Sequence, residues 1–138
     1  MLYRYPEEEL FPTTMEEGIG NVVFSPLAHG MLTGKYLPGQ SSPKGSRAFD
    51  PDQNEVMLEM YWNEENKERG QELVKISKEM SVTAVQLALA WCLKRKDVTS
   101  VILGARRIEQ LRENLKAAEI EIPDEVMNKL DKLYPLIK

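Results

Sequence analysis

The chain has 138 residues, and 18 Lys and Arg against 22 Asp and Glu leave a net charge of −4 at pH 7. That length is one domain's worth, enough to bury about 68% of the surface the unfolded chain exposes, so residues 1–138 are expected to form a single domain. Interspersed charge of this sign excludes general nucleic-acid or membrane-surface affinity, and the single cysteine, Cys92, excludes an internal disulfide and fits a reducing compartment.

The start, MLYRYPEEEL, lacks the apolar core of a signal peptide, and no run approaches the roughly 20 residues of a membrane span. The cytoplasm is the default expectation. Tyr5–Gly18 predicts the end of a connection and then a helix burying Leu10, Phe11 and Met15 and stopped by Gly18, with Pro12 standing against it. The acidic run Glu7–Glu9 reads as a solvated helix start that complements the dipole.

A first strand is predicted at about residues 21–25, where Val22, Val23 and Phe24 suit burial on both faces of a parallel sheet. Ser25–Pro26 must end it, because proline has no ladder donor and pushes its predecessor out of the α region. Gly30 and Gly34 then permit positive φ and close backbone approach, and Lys35 adds a mobile positive charge, a combination that makes an anion site. Leu37–Asp52, rich in Pro, Gly and Ser, leaves little scope for regular structure; it carries Lys44 and Arg47 and is expected to be mobile without a ligand.

From about Asn54 the pattern turns helical, interrupted near Trp62–Asn63, with Leu73, Ile76 and Met80 as the buried stripe of a helix ending near Met80. Thr83–Gln86 reads as a capping box opening a helix with a stripe of Val85, Ala88, Leu89 and Cys92, ended by Lys94, Arg95 and Lys96. Cys92 reads as a packing residue, and Trp62 and Trp91 as core or interface anchors. A second strand is predicted at about 98–103 and is closed by Gly104. Arg107–Glu119 then reads as a helix with Ile108, Leu111, Leu115 and Ala118 facing inward. The last helix starts at Pro123, buries Val126, Leu130 and Leu133 and ends before Pro135.

Strand, loop, helix, strand, helix is the grammar of βαβ units, in which ligands gather at the carboxyl ends of strands. The segments after Phe24 and after Leu103 are therefore the places to search. In the second, Gly104 allows a tight turn, and the helix-opening amides at Arg106–Arg107 are expected to present unpaired donors to a phosphate. Gln110, Glu113 and Asn114 share a polar face that could read a purine edge or a ribose; a plain solvated face is the alternative. A helix-turn-helix reading of KISKEMSVTAVQLALAWCLKR fails, because its second helix offers too few basic or amide side chains and the chain is acidic.

In this order and spacing, VVFSPLAHGMLTGKY, the SRA of Ser46–Ala48, ALAWCLKRKDVTSVILGA and EQLRENL resemble the C-terminal part of the aldo-keto reductases. Within that family the likeness is to the branch holding potassium-channel β subunits and related bacterial reductases, and it runs from about Tyr3 to Tyr134. The resemblance implies an α/β fold, the C-terminal portion of a (β/α)8 TIM barrel binding NADP(H), with this chain supplying roughly the seventh and eighth units and the C-terminal helix.

Carried over by residue, the resemblance lays Phe24, Ser25, Pro26, Leu27, Ala28 and His29 along the nicotinamide and pyrophosphate, with Phe24 as a stacking aromatic. It takes Lys35 and Arg47 to the phosphates, Gly104 and Arg106 to the 2′-phosphate region, and Gln110, Glu113 and Asn114 to the adenosine. Position 106 is often a small hydroxyl residue in the channel-subunit relatives; arginine there would favour NADPH over NADH through a charge-assisted bidentate contact.

The family's catalytic Asp, Tyr, Lys and His lie on the first four strands, which have no counterpart here, and Tyr3, Tyr5, Lys35 and Tyr36 do not match them. His29, the one histidine, reads as a contact or a solvated side chain rather than a general acid. The expected function is NADPH-dependent reduction of a carbonyl substrate in a full-length context, with a missing N-terminal half or self-association to complete the barrel. A non-catalytic NADPH-binding regulatory module, or an inactive truncated fragment, is the alternative.

Overall fold

The computed structural model describes residues 1–136, and the chain divides into two compact units, Leu27–Val85 and the remainder. It is a helix-rich α/β structure with two parallel strands.

The first unit takes in Met1–Pro26 and the chain from Gln86 onward. It holds helix α1 (Leu10–Glu16), strand β1 (Val22–Phe24), most of α4 (Ala84–Leu93), β2 (Ser100–Ile102), α5 (Ile108–Leu115) and α6 (Asp124–Leu133). β1 and β2 pair in parallel, Val22 with Ser100, Val23 with Val101 and Phe24 with Ile102. Asn21 sets this register: its carbonyl accepts from Thr99 N–H at 2.8 Å, while its side-chain amide donates to Asp97 O at 2.8 Å and Thr14 Oγ1 at 2.7 Å. Gly20 is required there, since a Cβ would stand 2.8 Å from Thr99 Oγ1.

The parallel pairing agrees with the sequence reading, but the burial does not. Phe24 is 78% exposed, and Val22 and Ile102 are exposed with it, so β1 is not covered on both faces. Side chains alternate along a strand, so these three share one side of a two-stranded ribbon, over which no layer packs among the described residues. In α1 only Phe11 is buried; Leu10 and Met15 are exposed. Pro12 is accommodated because, as the third helical residue, it lacks an N–H that would have no intrahelical acceptor anyway.

Helix α4 is buried around its circumference, with Leu87, Ala88, Leu89, Ala90, Trp91 and Cys92 all inaccessible, rather than along the single stripe expected. Its small and aliphatic residues allow neighbours on every side. Burial pushes the Cys92 thiol up, away from thiolate reactivity. Trp91, 2% exposed, has the guanidinium groups of Arg4 and Arg95 at 5.2 and 5.0 Å from its ring centroid, and its indole N–H donates to Asp131 Oδ1 at 3.2 Å.

Glu7 ties the two arginines together, with Oε2 at 2.7 Å from Arg4 and 3.0 Å from Arg95. Arg4 also donates to Asp131 Oδ1 and to the Tyr134 carbonyl, and Arg95 makes a two-pronged pair with Asp97. Glu7 is thus a largely buried member of an ion network, which corrects the reading of Glu7–Glu9 as a solvated run; Glu8 and Glu9 are exposed.

The inward face of α5 is also corrected. Ile108, Leu111, Leu115 and Ala118 are exposed, Leu115 by 62%, whereas Asn114 and Ala117 are buried. Periodicity reveals an apolar stripe but not whether anything lies opposite it. In α6, Leu130 is buried, Val126 and Leu133 are half-buried, and Pro123 is the residue before the first helical one rather than the first.

The second unit, Leu27–Val85, is built from 3₁₀ turns at Ala28–Thr33 and Arg47–Phe49 and the helices α2 (Glu55–Met60) and α3 (Glu64–Glu79). The break between the helices falls where the sequence places it. Asn63 is extended, and its side chain accepts the Asn66 N–H at 2.8 Å, an N-cap contribution of about 1 kcal/mol. Met31, Leu32, Tyr36, Met57, Leu73 and Ile76 form the core. From α3, Gln71 donates to the carbonyls of Gly34 and Tyr36, at 2.9 and 3.1 Å.

Candidate functional site

The segment after β1 carries unusual backbone. Ser25, Ala28 and His29 have φ of 50°, 47° and 55°, left-handed values that cost non-glycine residues about 1 kcal/mol or more each. Gly30, at φ 103°, follows; a Cβ there would stand 3.1 Å from Lys35 Nζ, so glycine lets the ammonium lie against the turn. Lys35 Nζ also lies 5.1 Å from the Tyr36 ring centroid.

Leu27–Val85 holds five of the predicted residues, Leu27, Ala28, His29, Lys35 and Arg47, on this turn, just after it and on the Arg47–Phe49 turn. Arg47 comes within 2.8 Å of His29 Nδ1. A guanidinium only donates, so Nδ1 is the acceptor and the imidazole proton sits on Nε2. Burial and then the Arg47 charge hold His29 below the usual histidine range.

The pH consequence follows from that direction. An unfolded chain takes up the His29 proton near pH 6.5 and the folded chain resists it, so this contribution to stability is present above pH 6.5 and is lost as pH falls through the lower folded value. Urea midpoints measured from pH 7.5 to 5 should therefore fall more steeply in the wild type than in His29→Asn. Parallel profiles would show that His29 carries no such linkage.

Beside Arg47, Ser46 Oγ is buried without a hydrogen-bond partner among the described residues. The long loop is tethered at its near end to α3. Glu64 Oε2 accepts the Gly39 N–H at 2.6 Å, and Lys67 pairs with Glu64 at 2.8 Å, donates to Gln40 O and stands 4.1 Å from the Trp62 ring centroid. The Lys67 hydrogen bond, then the Gly39 N–H, hold the Glu64 carboxyl below its ordinary range. At the far end, Asn54 donates to the Ala48 carbonyl. Sequence reasoning missed Ser46, the His29–Arg47 pair and the Glu64–Lys67 tether, and neither pair leaves a mark in composition or periodicity.

The remaining predicted residues belong to the other unit. Phe24 is exposed, Gly104 lies in coil with open space where a Cβ would be, and Arg106 is exposed. The amides of Arg106 and Arg107 are not unpaired, as the sequence reading had them. Gln110 Oε1 accepts both, at 2.9 and 3.2 Å, capping α5 from within. Gln110 is otherwise exposed, and Glu113 pairs with Lys116 at 3.1 Å and offers its carbonyl to Gln86. Asn114, at 7% exposure, is the one buried member of the polar trio.

The model for the aldo/keto reductase family matches residues 1–135. A probable voltage-gated potassium channel subunit beta of Arabidopsis thaliana is 38% identical over 96% of this chain and 39% of its own length. An uncharacterized oxidoreductase, YrpG, of Bacillus subtilis is 31% identical over 98% of this chain and 38% of its own. An L-glyceraldehyde 3-phosphate reductase of Escherichia coli O157:H7 is 39% identical over 78% of this chain and 31% of its own. The chain thus spans less than two-fifths of the length of these relatives. With a match across nearly its whole length, it belongs to the aldo/keto reductase family.

Proposed function

We propose that this chain forms the NADP(H)-binding side of an aldo/keto reductase that reduces carbonyl compounds. The observation that carries the reading is Arg47. Its guanidinium hydrogen-bonds His29 on the strained, glycine-punctuated turn, and its neighbour in sequence, Ser46, carries a buried hydroxyl with no partner among the described residues. That donor set fits an anionic group such as a pyrophosphate.

When bound, NADPH supplies the hydride. By the family resemblance, Arg47 and Lys35 would hold its phosphates and Phe24 to His29 would meet the nicotinamide and pyrophosphate. Gly104 and Arg106 would serve the 2′-phosphate, and Gln110, Glu113 and Asn114 the adenosine. Because Gln110 already accepts two amides, a phosphate at the head of α5 takes those donors only if the carboxamide moves aside.

The acid that protonates the developing alkoxide would come from barrel strands outside this chain, so the chain alone is expected to be inactive. Residues 1–138 would be one part of a single (β/α)8 barrel domain, working in the cytoplasm. The exposed Val22, Phe24 and Ile102 support completion of the sheet by a further segment or by self-association. The kinship with potassium-channel β subunits favours one second reading, a module that binds NADPH without turnover.

The test is a titration of the purified 138-residue chain with NADPH, followed by tryptophan fluorescence and repeated with Arg47→Ala and Arg106→Ala. Saturable binding is expected, weakened about tenfold or more by loss of either charge-assisted contact. A folded chain that binds no NADPH at millimolar concentration defeats the reading.

A further inference from the structure

We infer that His29 is a positioning residue for Arg47, its imidazole acting as a fixed acceptor that aims the guanidinium at an anionic ligand; this deepens the proposed function and rests on it. Arginine has several freely rotating bonds, and an unheld guanidinium loses rotamer entropy when it closes on a phosphate. An acceptor on one N–H removes part of that loss and leaves the other donors of the planar fork available.

The structure places that acceptor 18 residues away in sequence, on a backbone bent to φ 55° that brings Nδ1 within 2.8 Å of Arg47. Strain of this kind persists only where surroundings over-determine it. The groups facing the imidazole are Arg47 on Nδ1 and the Tyr61 ring, 5.8 Å away and tilted by 30°, with the Lys35 ammonium beside the adjacent Gly30. No carboxylate hydrogen-bonds or pairs with Arg47 or His29 among the described residues, so the guanidinium's partner here is neutral and its full charge stays available to a ligand.

The test uses the fact that the chain has one histidine, whose nitrogen resonances are unambiguous. In cofactor-free protein, nitrogen NMR should show Nδ1 unprotonated and Nε2 protonated, and Arg47→Gln should move the His29 titration midpoint up toward the free histidine value. An Nδ1–H tautomer, or a midpoint unmoved by Arg47→Gln, overturns the pairing.

NADPH titration then tests positioning. His29→Ala should weaken binding about tenfold, as for one lost charge-assisted bond, while His29→Asn, which tolerates positive φ and keeps an oxygen acceptor near the Nδ1 position, should restore most of it. Equal loss in both variants, with circular dichroism unchanged, would make His29 a merely structural residue. Absence of NADPH binding in the wild type would sink the cofactor reading, while the pairing is decided separately by the NMR result.

Discussion

Gly34→Ala should lower the stability of the chain by about 3 kcal/mol, measured as the urea unfolding midpoint at constant slope. Two costs combine. At φ 76° a β-carbon raises the backbone energy by about 1 kcal/mol or more, and that same β-carbon would overlap Val74 Cγ2 on α3. The turn cannot easily retreat, because Gln71 holds the carbonyls of both Gly34 and Tyr36, and Tyr36 is fully buried.

Two controls separate the costs. Gly39 has a similar φ of 69° with open space around it, so Gly39→Ala should show only the backbone part, about 1 kcal/mol. Adding Gly34→Ala to a Val74→Ala background should likewise cost only that part. A Gly34→Ala chain as stable as the wild type would mean that the turn is not held as described.

Trp91→Ala should be at least as damaging, about 4 kcal/mol, because it empties the site of the largest buried side chain of its unit and removes the ring that both guanidinium groups contact. With the indole gone, Arg4 and Arg95 keep their carboxylates but lose the ring they share, and Asp131 loses a donor. Trp91→Phe retains a ring for both cations and forfeits chiefly the hydrogen bond to Asp131, so its expected cost is about 1–2 kcal/mol. Equal losses in the two variants, read by urea unfolding, would remove the cation–ring contacts from the account.

Short-range chemistry was the legible part of this fold. The Pro26 stop, the Asn63 break and the positive φ at Gly30 and Gly34 all follow from what one residue permits its neighbours, and each is present. The parallel strand pair followed from the order of elements. What one element does to another was legible only in outline. An apolar stripe on α5 and an apolar run in β1 were read as buried, but burial needs an opposing surface, which a stripe does not specify.

The candidate site divides in the same way. Lys35 was singled out from the glycine-punctuated turn and Arg47 from the long loop and the motif resemblance, but the His29–Arg47 contact depends on two turns 18 residues apart and has no periodic signature. Likewise, the unpaired amides expected at the head of α5 assumed that no side chain three or four residues along would reach back. Gln110 does so.

Each compact unit contains one tryptophan, Trp62 in Leu27–Val85 and Trp91 in the other. The chain therefore carries two native optical reporters that divide along its architecture. With Trp91 replaced by phenylalanine, emission during denaturation follows the unit holding the His29–Arg47 pair; with Trp62 replaced, it follows the unit holding the parallel strands. Ligand-induced stabilisation can thus be assigned to one unit or both from the order in which the two signals move, giving a measure of folding cooperativity without an added label.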